Sequence, residues 1–147
     1  MKINIKHYSE LDVYELHEIY KARVDVFVVE QTCPYPELAG LDTDAYPVGL
    51  EVEGRLLAYL WVLPAGARFA EVSIGRVLST VRRRGYGSAV LASGIKCAVE
   101  KYNARRIRIE AQTYAAEMYR RAGFKQTSEE FLEDGLPHIE MLWESEP

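Results

Sequence analysis

The sequence predicts an α+β fold, in which a mixed, strongly twisted β-sheet of about six to seven strands carries helices on both faces. Two apolar runs, Val48 to Val52 and Leu56 to Leu63, flank the turn pair Glu53-Gly54 and predict a β-hairpin. Between residues 71 and 111 the order is strand, loop, helix and strand, which is typical of a crossover between parallel strands. The sheet is therefore expected to be antiparallel at its start and parallel at the crossover.

The first third of the chain is predicted to form a strand, a helix and a long loop. Alternating apolar residues over positions 1–7 indicate the strand, and Ser9 with Asp12 forms a helix-start signal. The helix is expected to run from about Leu11 to Val29, before a proline-rich loop from Gln31 to Tyr46. The apolar stripe of this helix, at three-and-four spacing, consists of Leu16, Ile19, Tyr20, Arg23, Val24 and Phe27.

The rest of the chain supplies the crossover and the end of the sheet. Glu71 to Leu78 is predicted to be a strand, and Gly75 within it indicates a bulge or the close approach of another molecule. The following elements are expected to be a helix from Ala89 to about Asn103, a strand from Arg106 to Ala111, a short helix from Ala115 to Ala122, and a strand pair from Phe124 through Asp134-Gly135 to Trp143.

Composition excludes several classes of function. Hydrophobic residues make up 48% of the 147 residues, which is sufficient for one domain, expected over residues 1–147, to bury a core. A net charge of -4 disfavours nucleic-acid and membrane-surface partners. No apolar run approaches the ~20 residues of a membrane span. Cys33 and Cys97 fit neither a metal site nor a disulfide framework, so free thiols, no metal and a cytoplasmic location are expected.

The loop from Val81 to Ala89 is predicted to hold a phosphorylated cofactor. Gly85 and Gly87 let backbone N–H groups turn toward one point, and the following helix adds its unpaired N-terminal donors and positive dipole end. Three arginines, Arg82 to Arg84, add forked, charged donors. The alternative is an ordinary glycine turn beside a solvated basic run.

Two motifs, in this order, resemble the GNAT acyltransferase family. Arg82-Arg83-Arg84-Gly85-Tyr86-Gly87 is similar to the family's pyrophosphate loop, and Tyr119-Arg120-Arg121-Ala122-Gly123-Phe124 is similar to its second motif. The resemblance spans essentially the whole chain. Shorter segments resemble the ElaA-like branch, namely Phe27 to Gln31, Cys33-Pro34-Tyr35, Gly75-Arg76-Val77 and Asp134 to His138.

This resemblance implies acetyl-CoA as the acetyl-donor cosubstrate and an amine acceptor, either a small molecule or a protein amino group. The acetyl group would pass by direct attack, without a covalent enzyme intermediate, and a homodimer is possible. At Gln112 many relatives carry an asparagine that contacts the cofactor. The cofactor-binding residues that the resemblance implies are Val77, Leu78, Arg82, Arg83, Arg84, Gly85, Tyr86, Gly87, Ser88, Gln112 and Tyr119.

The resemblance also implies a general acid. Tyr119 lies four residues before Gly123, where the family usually places this residue. A phenol with a pKa near ~10 stays protonated at neutral pH and can donate to the leaving thiolate. The structural alternative is a core tyrosine on an amphipathic helix.

The general base has four candidates, of which His138 and Glu71 join Tyr119 as the predicted catalytic residues. His138 has the most suitable ordinary pKa, near ~6.5, and Glu71 shares the strand face of Gly75. Glu110, on the adjacent strand, and Glu30, at the end of the first helix, are the other two. The structural alternatives are solvated strand glutamates, a Glu30–Arg76 ion pair and a surface histidine.

Two further roles and two further function classes stay open. Arg76 can bind an acceptor carboxylate or form a structural salt bridge, and Cys33 is interpreted as packing in the acceptor-side loop. One alternative function is a module that senses acetyl-CoA without turnover. The other is a nucleotide or nucleic-acid binder that uses the arginine cluster, against which the acidic balance counts.

Overall fold

The computed structural model describes residues 1–33, 37 and 40–146, and over these residues the strands form one eight-stranded sheet. The strands are β1 (Lys2–Ile5), β2 (Tyr46–Val52), β3 (Arg55–Leu63), β4 (Val72–Ser79), β5 (Arg106–Gln112), β6 (Lys125–Gln126), β7 (Phe131–Glu133) and β8 (Leu136–Glu144). Their order is β1-β2-β3-β4-β5-β8-β6, with β7 paired to β8. All pairs are antiparallel except β4 with β5, so the predicted mixed sheet is confirmed.

Helices cover both faces of this sheet, as predicted. They are α1 (Val13–Arg23), which continues as a π-helix over Val24–Glu30, α2 (Tyr86–Tyr102) and α3 (Ala116–Arg121). One apolar core lies between the sheet and the α2–α3 side, and the second lies beneath α1. Across the residues described, none of these helices has the length and apolar character needed to cross a membrane.

The first helix begins close to its predicted start but changes its winding before it ends. Asp12 caps α1 by accepting from the N–H of Glu15 at 2.8 Å, and the Glu15 carboxylate accepts from the N–H of Asp12. From Val24 onward the hydrogen bonds span five residues, as in Gln31 N–H to Val26 O. The extra residue rotates the predicted stripe, so Val24 is exposed and Val26 is buried.

The predicted loop from Gln31 to Tyr46 falls only partly within the described residues. Pro34 to Pro36, Leu38 and Ala39 lie outside them. Within the described part, Asp42–Asp44 forms a short 3₁₀ turn and Ala45 is buried under α1. The loop therefore leads directly into β2 beside the second core.

A β-bulge divides β4 one residue after the predicted position. Trp61 pairs with Gly75 and Tyr59 with Leu78, so β4 has one extra residue between these pairs. Arg76 takes the left-handed conformation there, with φ of 53°. Gly75 is needed for a different reason, because a Cβ atom on it would lie 2.4 Å from Trp61 Nε1.

The parallel strands β4 and β5 separate soon after they meet. In the part of the chain that the structure describes, their ladder holds two pairs, Val72 with Ile107 and Ser73 with Arg108. Beyond Ser73 the two strands diverge, and β5 continues along β8 through to Gln112. The sheet therefore opens beside the bulge of β4.

Candidate active site

A cavity of about 360 Å³ occupies the opening between β4 and β5. Its walls come from β4, the end of β5, the π-helical segment, α3 and the turn that joins β7 to β8. Ser73 lies in this wall with its hydroxyl buried and, among the described residues, without a hydrogen-bond partner. A buried hydroxyl in that state is normally satisfied by water or a ligand.

Several residues that the sequence predicts for the site meet in this cavity. Val77, Gln112, Tyr119 and His138 all line it. Leu78 does not, because its side chain is buried in the core beneath α1. The loop residues Arg82 to Ser88 lie outside the cavity, between the end of β4 and the start of α2.

The loop from Val81 to Ala89, which the sequence predicts to bind phosphate, has the backbone that its glycines predict. Gly85 caps α2 with φ of 75°, and Arg83 before it also takes a positive φ, of 59°. Because its N-cap residue is a glycine, α2 receives no capping hydrogen bond from that residue's side chain. The loop arginines are exposed, and Arg82 pairs with Glu30 of the π-helical segment.

Tyr119 combines burial with access to the cavity. Its ring packs edge-on against Phe124, with 5.8 Å between the ring centroids, and its residue surface is 7% exposed. Burial, together with nearby Tyr114, raises the pKa of its phenol above the ordinary value. The hydroxyl therefore stays protonated at neutral pH, as a general acid must.

The hypothesis that Glu71 is the base does not fit the structure. Glu71 lies outside the cavity, and its carboxylate accepts from Arg108 Nε at 2.9 Å and from Nη2 at 2.7 Å. These hydrogen bonds lower the pKa of Glu71 to about 2. Strand alternation gave the face correctly, but the arginine on the neighbouring strand makes Glu71 a structural partner.

We expect Glu71→Gln to lower the free energy of unfolding by about 2 kcal/mol at pH 7, because an amide donor would then face the Arg108 guanidinium. Since folding depresses the pKa of Glu71, its contribution is complete above an ordinary value near 4.5 and disappears as the pH falls toward 2. Urea unfolding at pH 7, 4 and 3 measures the difference in the free energy of unfolding between the unsubstituted protein and Glu71→Gln.

Glu117→Gln is the matched control for that variant, because Glu117 pairs with Arg120 and Arg121 on the exposed surface of α3. The Glu117→Gln substitution should lower the free energy of unfolding by less than about 0.5 kcal/mol. Equal losses in both variants, or a Glu71→Gln loss that does not shrink in acid, would contradict a structural role for Glu71. Acetyl-CoA affinity should stay unchanged in both.

His138 is buried at the cavity wall and has a fixed orientation. Its Nδ1 lies 2.7 Å from the carbonyl oxygen of Leu136, and because a carbonyl only accepts, Nδ1 carries a proton. Nε2 lies 3.7 Å from a carboxylate oxygen of Glu133, and the ring stacks on Phe131. His138 therefore turns its second nitrogen toward an acidic group.

An acidic cluster that the sequence did not predict as a unit stands beside His138. Arg68 Nη2 donates to Glu110 at 2.9 Å and to Glu133 at 3.1 Å, and all three side chains line the cavity. Arg68 belongs to no motif, and the Asp134-Gly135 turn signalled a hairpin without indicating which side chains it presents. Of this cluster, Glu110 alone is a candidate base from the sequence, and Glu133 enters only as the start of a turn expected to shape acceptor specificity.

The remaining candidates have structural partners. Glu30 pairs with Arg82, which supports a structural role for this carboxylate with a different arginine from the one considered in the sequence. Arg76 bonds Glu37, Nε to Oε1 at 3.0 Å, and lies over the Trp61 ring. Cys33 is buried and donates its thiol to the carbonyl oxygen of Asp134 at 3.3 Å, which agrees with a packing role.

A buried charged cluster supports this side of the cavity. Arg23, with no exposed surface, donates to Glu37 at 2.6 Å and to Asp42. Its guanidinium lies 4.9 Å from the centroid of the Trp61 ring. Arg23 belongs to the predicted apolar stripe and lies on the buried face, where these two carboxylates allow it to stay charged.

A sequence model of one family, described as the acetyltransferase (GNAT) domain, matches residues 15–145. The chain belongs to the GNAT family. Among curated relatives, it is 32% identical to the ElaA protein of Escherichia coli over 143 residues, covering 94% of this chain and 93% of that protein. A UPF0039 protein of Schizosaccharomyces pombe is 37% identical over 143 residues, covering 95% and 94% of the two chains.

Solved structures place the chain in the ElaA-like branch of the GNAT family. The crystal structure of E. coli ElaA matches with a TM-score of 0.90 and 30% identity, over 97% of this chain and 99% of that one. An acyl-CoA N-acyltransferase from Pseudomonas aeruginosa also matches with a TM-score of 0.90, at 35% identity and the same coverages. The predicted family and fold are therefore confirmed, and the protein is a GNAT acyltransferase.

A pair of side-chain amides lies in the wall of this cavity. Gln112 exchanges hydrogen bonds with Gln31, Nε2 to Oε1 at 3.0 Å in one direction and 3.4 Å in the other. This amide pair joins the end of β5 to the end of the π-helical segment. Gln112 is thus held at the cavity wall, and its longer side chain makes a contact across the opening.

Proposed function

We propose that the protein is an N-acetyltransferase that transfers the acetyl group of acetyl-CoA to a primary amine, and that residues 1–147 form its single catalytic domain. The observation that carries the proposal is the cavity between β4 and β5, where Tyr119 faces the same space as Glu110, Glu133 and His138. With this arrangement, Tyr119 can donate a proton to the leaving sulfur on one side of the acetyl group, and an acidic side chain can accept a proton from the amine on the other side. The acyltransferase family limits the reaction to acyl transfer.

The donor side of the proposal rests on the loop and on the gap in the sheet. Backbone N–H groups of Arg83 to Ser88, with the N-terminus of α2, are suited to the pyrophosphate of CoA. Among the described residues, no strand pairs with the second half of β4 on its β5 side, so the amides of pantetheine can pair there in the manner of an added strand. Val77 lines the cavity from β4, the strand that leads into the loop.

The acetyl transfer then needs a neutral amine, an oxyanion donor and an acid. The amine nitrogen attacks the thioester carbonyl, forming the C–N bond through a tetrahedral oxyanion that a backbone donor at the β4 bulge would stabilise. The C–S bond breaks, its electron pair leaves with sulfur, and Tyr119 supplies the proton that yields the CoA thiol.

Calorimetric titration with acetyl-CoA, using CoA, ATP and a short RNA as comparators at fixed salt, tests the donor. Saturable binding of acetyl-CoA and CoA alone is expected. A screen of primary amines, with thiol release and product mass as readouts, then tests the acceptor. Preference for ATP or RNA would overturn the donor assignment, and acetyl-CoA binding without turnover on any amine would favour the sensor role.

A further inference from the structure

We propose that Glu110, with Glu133 as its positioning partner and Arg68 as their shared counter-ion, accepts the proton that the acceptor amine loses. This assignment rests on the proposed function and deepens it, because it identifies the base among the candidates. Glu110 would contact the amine directly. Glu133 would act through Glu110 and is therefore a positioning residue.

The position of Glu110 in the sheet is the first argument. The β4–β5 ladder pairs Ser73 with Arg108, and continuing this register by two residues places Glu110 opposite Gly75. The strands have separated at that point, and the β4 bulge begins at the next residue, Arg76. Glu110 therefore faces the opening at the level where the thioester carbonyl is expected.

The shared arginine is the second argument. One nitrogen of Arg68 bridges the two carboxylates, and the side chains of Glu110 and Glu133 are 20% and 35% exposed. Two carboxylates this close repel each other as anions, which favours one shared proton, and the single Arg68 cation offsets only part of that repulsion. The arrangement can therefore take up a proton while keeping its geometry.

The other charged groups around Glu110 agree with this role. Glu140 lies directly across on β8, Arg108 on β5 is held by Glu71 and Glu140, and His138 approaches Glu133 from the β8 side. Burial chiefly, followed by Glu133, raises the pKa of Glu110 to about 7, while Arg68 opposes the rise. A carboxylate with a pKa of about 7 is half ionised near neutral pH, which suits proton transfer.

The proton balance closes with these residues alone. An acceptor that arrives as an ammonium ion gives one proton to the Glu110 carboxylate, and the neutral nitrogen then attacks the acetyl carbon. The nitrogen loses its second proton as the amide forms, and this proton replaces the one that Tyr119 gives to sulfur. Glu110 releases its proton to solvent past Glu133 and His138, so one proton leaves per turnover.

NMR titration of protein labelled with ¹³C at the glutamate carboxyl carbons tests the assignment without any acceptor. Glu110→Gln identifies the Glu110 resonance by its loss. In the unsubstituted protein we expect this resonance to titrate about two pH units above ordinary glutamates. Glu133→Gln should lower the midpoint by about one unit, and Arg68→Met should raise it by a similar amount.

Glu130→Gln is the matched control, because it removes one negative charge from an exposed residue just before β7 and outside the cavity. In the Glu130→Gln protein, the midpoint of the Glu110 titration should stay within about 0.2 pH unit of its value in the unsubstituted protein. A Glu110 midpoint at the ordinary value in the unsubstituted protein, or shifts of the same sign in both Glu133→Gln and Arg68→Met, would overturn the proposal. The titration does not depend on turnover, so its failure is distinct from failure of acetyl-CoA binding.

Discussion

Gly85→Glu is expected to weaken acetyl-CoA binding by about 100-fold or more while the protein stays folded. A glutamate at the N-cap of α2 would place a negative charge where the pyrophosphate needs N–H donors. Each charge-assisted hydrogen bond that the pyrophosphate loses weakens binding by about 1.5–3 kcal/mol. Calorimetry with acetyl-CoA and with CoA measures the effect. Far-UV circular dichroism and thermal unfolding establish the fold.

Gly54→Glu is a close control for this variant. Gly54 has the same φ of 75° as Gly85, and among the described residues a Cβ atom at either glycine would meet no atom within 4 Å beyond its two chain neighbours. Both substitutions therefore introduce the same left-handed glutamate, but Gly54 lies in the β2–β3 turn, away from the loop. Unchanged affinity in folded Gly85→Glu protein, or equal loss in both variants, would refute the cofactor site.

Tyr119→Phe is expected to retain acetyl-CoA binding and to lower turnover by about 100-fold, because only the proton donor to the leaving sulfur is removed. The ring still packs against Phe124, so stability should change little. The measurement is kcat for thiol release with an amine that the screen identifies. Loss in kcat at constant KM for acetyl-CoA separates a catalytic role from a binding role.

Tyr102→Phe supplies the comparison for that loss. Tyr102 lies at the end of α2, and its hydroxyl makes one long hydrogen bond, 3.4 Å, to the carbonyl oxygen of Asp44. Removal of the Tyr102 hydroxyl should leave turnover within about twofold of the unsubstituted protein. Undiminished turnover in Tyr119→Phe would remove this tyrosine from the mechanism and would direct attention to solvent as the proton donor.

The fold was predictable because its elements are determined locally. The hairpin from Val48 to Leu63 has both apolar runs and the turn pair, and the crossover carries its glycine loop and helix in the expected order. What local patterns miss is a change in winding. The π-helical segment after Arg23 adds one residue to each turn, so a stripe drawn with 3.6 residues per turn assigns Val24 to the core.

The candidate site was predictable where motifs carry it and was missed where side chains from distant segments meet. Tyr119 and Gln112 follow from the family motif, and both line the cavity. Arg68 and Glu133 are 65 residues apart and share no pattern, so only the folded chain brings them to Glu110. Glu71 fails for the same reason, since its partner Arg108 comes from another strand.

The two-pair ladder between β4 and β5 has a consequence for the protein when no cosubstrate is bound. The sheet consists of two parts, each closed by its own antiparallel pairing, and within the described residues the facing sides of β4 and β5 beyond Ser73 and Arg108 have no ladder partner. Sheet edges in that state attract other extended chains. A cosubstrate that pairs along this opening would therefore join the two parts of the sheet and would stabilise the folded protein more as its concentration rises.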